Sequence, residues 1–226
     1  MANSSGGIIE KPHPETKSHF KKNVLTLMAG TSVAQALPIA ISPILTRIYT
    51  PEDFGLFAIY MALASIISII VTGRYELAIM LPHKDEDGFQ IMVFAMFITL
   101  ILSLSLLLLV NIFNFEFASA IQHPEIAPYL YFLPFSVLIT GLYQTLNFWH
   151  NRNKRYTNIA INRVVQNSGT ASGQLCFPLV NQSFGLIAGQ IFGQFLGLIY
   201  FVKSYGSKDH TNYRVNVLKM RALAIK

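Results

Sequence analysis

The chain has 226 residues, 52% hydrophobic and only 12% charged, with a net charge of +6 and a mean hydropathy of +0.44. Soluble proteins run near about 25% charged, so an ordinary soluble domain is excluded, and charges bunched beside long uncharged windows point to a membrane rather than to nucleic acid. The single cysteine, Cys176, excludes a disulfide framework and a cysteine-based metal site. Its place inside an apolar window reads as a small buried apolar residue.

Residues 1–22 are polar, with Pro12, Pro14 and scattered lysines, and show no apolar core followed by a small-residue cleavage site. They read as a disordered cytosolic tail without a cleavable signal. Uncharged windows follow at 23–46, 54–73, 88–115, 126–151 and 164–202. A membrane span needs about 20 mostly apolar residues, so the first four windows give one span each. The last is too long for one, and Asn181, Gln182 and Ser183 interrupt it soon after Pro178. It reads as a hairpin of two spans, 164–181 and 184–202. The expected fold class is therefore all-α integral membrane, with six transmembrane helices over 23–202 and a basic cytosolic tail over 203–226.

The joint between the first two spans is sharply punctuated. Thr50 suits a helix N-cap, Pro51 the first helical position, and Asp53 completes a box-like start. One helix is expected to end near Thr46 and the next to begin at Pro51. With the N-terminus cytosolic, sixteen of the seventeen Lys and Arg fall on the inside, and Arg47 stands alone outside. That bias follows the positive-inside rule and places both termini in the cytosol.

Two spans carry polar stripes. Thr31, Gln35, Pro38, Ser42 and Thr46 share one face of the first, and Arg163, Asn167, Thr170, Gln174 and Asn181 share one face of the fifth. Polar groups in hydrocarbon need partners or water. Two readings stay open: the stripes line a hydrated cavity, or they are interhelical hydrogen bonds worth about 0.6–2 kcal/mol each. Pro38 and Pro43 favour a bend in the first span. Span three, Ile91 to Val110, looks lipid-facing. Gly185, Gly189, Gly193 and Gly197, with Gly169 and Gly173, have the spacing of close helix packing. Gln190 and Gln194 flank that ridge and face either a neighbour or a solute. Arg47, Arg74 and Arg163 are the cationic candidates for a phosphate or diphosphate ligand, against the alternative that such arginines snorkel to lipid headgroups.

Every Asp and Glu lies outside the uncharged windows, so the spans lack the buried carboxylate expected of a cation-coupled antiporter. No pair among the six histidines has metal-ligand spacing, and His123 beside Glu125 reads as surface polarity. There is no glycine-rich phosphate loop and no large outside segment for chemistry. These features predict neither an enzyme, nor a cofactor or metal, nor a nucleic-acid partner.

The run Asn23 to Thr46, then Arg47-Ile48-Tyr49-Thr50-Pro51-Glu52-Asp53-Phe54-Gly55, then Arg74-Tyr75-Glu76-Leu77-Ala78-Ile79 and an acidic turn, resembles the oligosaccharide-lipid flippases of bacterial polysaccharide biosynthesis. These are the O-antigen and teichoic-acid exporters of the multidrug/oligosaccharidyl-lipid/polysaccharide superfamily. The resemblance covers essentially the whole chain, most specifically at the Arg47 to Gly55 joint. It implies one lobe of a two-lobed, multi-pass protein of the bacterial cytoplasmic (inner) membrane that flips a polyprenyl-diphosphate-linked oligosaccharide by alternating access. On that reading Arg47, Arg74 and Arg163 serve diphosphate and sugar acids. Gln35, Asn167 and Gln174 meet sugar hydroxyls, and Thr31 and Ser42 lie along the same pathway. These roles are assigned by spacing. The chain stops after Val217 to Lys226, where the family would enter its second lobe. The expectation is a truncated gene, with a separate second-lobe chain or a homodimer as alternatives. A drug or metabolite exporter of the same superfamily, and a non-transporting scaffold for polysaccharide enzymes, are the competing functions.

Overall fold

The computed structural model describes residues 14–120, 122–179 and 182–206, and no strand occurs among them. The tail assignments for 1–13 and 207–226 lie outside the described residues. The first helix, α1 (Pro14–Ile48), starts inside the segment expected to be disordered. Pro14 stands at its first position and no further proline intervenes before Pro38, so the polar residues extend the apolar helix. Its apolar part is Leu27–Ile48.

The joint forms as its residues dictate. Thr50 caps α2 (Pro51–Thr72) with a complete capping box: its side chain accepts from the Asp53 amide, and the Thr50 amide donates to the Asp53 carboxylate at 2.9 Å. Gly73, left-handed at φ 54°, closes α2, and the one-turn α3 (Tyr75–Ala78) follows. Then comes α4 (Asp85–Ala120), 36 residues long. At 1.5 Å per residue it measures about 54 Å, well beyond the roughly 30 Å hydrocarbon core. It breaks at Phe113, whose φ of −115° is not helical.

The fourth predicted span is bent. Pro124–Leu130, whose second half is the short helix α5 (Ala127–Leu130), meets α6 (Leu133–Arg152) at 53°. The final hairpin forms from α7 (Tyr156–Cys176), a 3-10 turn at Phe177–Leu179, and α8 (Gln182–Gly206). Here α7 begins before the predicted start at 164, so Arg163 sits well inside the helix rather than at its head. Among the described residues four helices are by themselves long and apolar enough to cross a membrane, and the bent pair, taken as one span, makes a fifth. The fifth predicted span, α7, has the length at 21 residues. Asn158, Asn162, Arg163, Gln166 and Asn167 leave it too polar to qualify by composition.

In the packing order α1 lies on α7, α7 on α8, α8 on α6, and α6 carries both α2 and α4. Small residues set these approaches. A Cβ on Gly173 would strike the Gly189 backbone, one on Gly193 would strike Thr170 and the Gln166 carbonyl, and one on Gly30 would meet Ala160. Gly141 of α6 lets Thr99 of α4 and Thr72 of α2 close in from both sides. Large apolar side chains remain exposed around the rim, among them Ile39, Leu81, Leu108 and Phe115. Hydrocarbon, not water, is the solvent such a surface suits. Within α4, whose stretch Ile91 to Val110 was expected to face lipid, Met92, Ala95, Thr99, Ser103 and Val110 form a buried seam, and Ser103 donates to the Pro134 carbonyl at 2.6 Å. Cys176 is exposed rather than buried, because it falls on the outer side of the last turn of α7.

Candidate functional site

The two polar stripes meet different surroundings. On α7, Arg163 donates to the Thr31 hydroxyl at 2.9 Å and Asn167 to the Ala34 carbonyl at 2.6 Å. Gln174 is buried, and its amide reaches the Leu186 carbonyl at 3.5 Å. Thr31, Arg163 and Asn167 therefore tie α1 to α7, while Gln174 lies at the α7–α8 contact. Gln35, Ser42 and Arg47 are brought to none of these: all three are exposed on α1. Of the predicted site residues, only Arg74 borders the polar cavity described next.

That cavity, about 390 Å³, lies between α2, α3, α6 and α8. Tyr60, Ser65 and Ser68 line it from α2, Ser136, Thr140 and Gln144 from α6, and Gln190 and Gln194 from α8. Arg74 and Glu76 complete the wall from the α2–α3 turn and α3. Part of this polarity is internally satisfied. Tyr60 and Ser136 share a hydrogen bond of 2.5 Å, Thr140 donates to Gln194 at 3.2 Å, and Ser65 donates to the Ala62 carbonyl at 2.8 Å. The Ser68 hydroxyl, on a residue 5% exposed, has no partner.

The α3 turn is held firmly. Arg74 is left-handed at φ 56°, directly after left-handed Gly73, and for a residue with a Cβ this costs about 1–2 kcal/mol. Tyr75 packs its ring edge-on against Phe94 of α4 at 5.8 Å. From the end of α6, Arg152 donates to the Ile79 carbonyl at 2.7 Å and pairs with Asp85 at 3.0 Å. Ile79 itself is fully buried. These anchors leave Glu76 only 5% exposed, with its side chain on the cavity wall. Buried carboxylates are thus present outside the uncharged windows, at Glu76 and at Asp53 of the α2 capping box, where none was expected to serve as the carboxylate of a cation-coupled antiporter. Glu76 lies outside every uncharged window, and burial comes from the fold of the turn rather than from a span.

Most of the cavity wall escaped the reading by sequence. Ser136, Thr140 and Gln144 recur every fourth residue on α6, the same signal that marked α1 and α7. Of Gln190 and Gln194, which flank the glycine ridge of α8, Gln194 accepts from its neighbour Thr140, and both line the cavity.

The family described as polysaccharide biosynthesis protein matches residues 44–222, from the α1–α2 joint to beyond α8. The chain belongs to that family. Its members' label places this multi-pass membrane chain in polysaccharide biosynthesis. No curated protein and no solved structure was found to match.

Proposed function

We propose that this chain is a transporter rather than an enzyme, and that it moves polyprenyl-diphosphate-linked oligosaccharide across the bacterial cytoplasmic membrane. The observation that carries the reading is the cavity of hydroxyls and amides set among apolar helices, with a guanidinium at Arg74. Hydroxyls and amides suit sugar hydroxyls, and a guanidinium suits a diphosphate. Family membership supports the pathway, and the exposed apolar rim suits a lipid-borne cargo.

A partner lobe belongs to this proposal. Gln35, Ser42 and Arg47 are exposed on an apolar helix, with no covering element among the described residues, and polar groups at membrane depth call for protein or water beside them. A second-lobe chain or a second copy of this one meets that need. The test is surface-glycan export in a bacterial strain lacking its own flippase. Restoration by the chain alone, or with a second-lobe partner, supports the proposal. A well-expressed chain that restores export in neither setting overturns it in favour of a scaffold.

One observation favours a second reading. Glu76 supplies the buried carboxylate that a cation-coupled drug or metabolite exporter requires. Proton- or sodium-driven efflux of a small cationic dye by the chain, without glycan export, would select that reading.

A further inference from the structure

We infer that Glu76 binds a proton when an anionic headgroup enters the cavity and gives it up when the headgroup leaves. The inference rests on the reading of the cavity as a diphosphate site. Glu76 is 5% exposed, lines the cavity, and has no hydrogen-bond or ion-pair partner among the described residues. A second buried group, the Ser68 hydroxyl, is also unpartnered on the same wall. The ionisable side chains on that wall are Tyr60, Arg74 and Glu76.

Charges on the packed elements do not neutralise Glu76. Arg152, from α6, is engaged with the Ile79 carbonyl and with Asp85 of α4. His150, also from α6, is fully buried against the Leu146 carbonyl. Neither lines the cavity, and nor do the first-turn acids of α4, Asp85, Glu86 and Asp87. Arg74 is the single cation on the wall. It stands two positions from Glu76 but makes no ion pair with it.

An empty cavity thus holds one carboxylate and one guanidinium, and their charges balance. A diphosphate diester adds negative charge and competes for Arg74. Two anions in a confined space repel, and a like charge nearby favours the neutral carboxylic acid. The proton comes from water on the side to which the cavity is open, adds to a carboxylate oxygen, and returns to water on release. No other bond changes. Binding of the two is reciprocal: acid strengthens anion binding by the same factor that the anion strengthens proton binding.

The experiment uses the full chain in lipid nanodiscs and dimethyl diphosphate with one methyl ester on each phosphorus, a probe without a titrating proton in this range. Calorimetry between about pH 4 and about pH 8 spans ordinary glutamate and histidine titration. For the wild type, affinity should rise about tenfold per unit fall in pH across the linked range, by about 5–150-fold in all. Buffers of differing ionisation enthalpy should report uptake of one proton per diester bound. Glu76→Gln, checked for folding by circular dichroism and gel filtration, should keep the acid-limit affinity and lose both the pH slope and the proton uptake. Arg74→Gln should weaken binding at every pH while keeping the slope. A Glu76→Gln protein with the wild-type slope overturns the inference while the diphosphate reading stands. Folded wild type that fails to bind the diester at any pH overturns both.

Discussion

The Tyr49 hydroxyl donates to the carbonyl oxygen of Gln174 at 2.7 Å, across 125 positions of sequence. The reason lies in the next turn. Residue 178 is proline, so the amide that would ordinarily bond the Gln174 carbonyl does not exist. Tyr49, from the joint between α1 and α2, supplies the missing donor. Gly185 of α8 makes room, since a Cβ there would run into the Tyr49 hydroxyl. Burial, then the Asp53 carboxylate, push the Tyr49 phenol up to about 12, so it stays a donor at every physiological pH. One hydrogen bond thereby fastens the α1–α2 joint to the α7–α8 hairpin.

Tyr49→Phe should cost about 1–3 kcal/mol, the cost of a buried acceptor left without its donor. Reversible unfolding in mixed micelles measures it. Gly185→Ala should also destabilise, but less in the Tyr49→Phe background, because the hydroxyl it strikes is gone. A double-mutant cycle reads that coupling, and strict additivity would remove Tyr49 as the reason for Gly185.

The glycines of the α7–α8 contact and of α2 should separate cleanly. Gly193→Ala places a Cβ against Thr170 and the Gln166 carbonyl, and overpacking of this kind costs about 1–3 kcal/mol. Gly55→Ala meets nothing within 4 Å. It should be neutral or stabilising by up to about 1 kcal/mol through helix propensity. Thermal melting of the two proteins side by side is sufficient.

Arg152 and Asp85 should not be equivalent. Asp85 is 59% exposed at its side chain, and Asp85→Asn should cost no more than about 1 kcal/mol, as surface pairs do. Arg152→Ala also strips the Ile79 carbonyl of its 2.7 Å donor and should cost about 1–3 kcal/mol. It should also speed proteolytic cleavage between α3 and α4. Equal effects in the two variants would contradict this division.

Sidedness is testable with thiol reagents in a Cys176→Ser background. Cysteine at position 52 should react with an impermeant maleimide from the outside. Cysteine at position 83 should react only after the membrane is opened, because α2 separates the two. Labelling of both from one side would remove α2 as a span.

Much of the local structure was legible in the residues themselves. Thr50, Pro51 and Asp53 form the predicted box because all its partners lie within four positions of one another. The close-packing role of Gly173, Gly189 and Gly193 was legible because period four is a property of one helix. Other features depended on distant partners. The burial of Glu76 follows from Arg152 gripping Ile79 across 73 positions, and no window of neighbouring residues contains that grip. Charge does not mark the start of α7, because Arg163 is tolerated inside the helix by its bond to Thr31.

Hydrocarbon imposes its requirement on each stretch separately, so apolar length and the clustering of charge alone were enough to establish a multi-pass helical membrane chain. The fate of each polar group was settled by tertiary structure. The stripe on α7 finds acceptors on α1, whereas those on α2, α6 and α8 converge on a cavity. Periodicity tells which residues share a face of one helix, but a hydrogen bond between helices exists only once two such faces have been brought together.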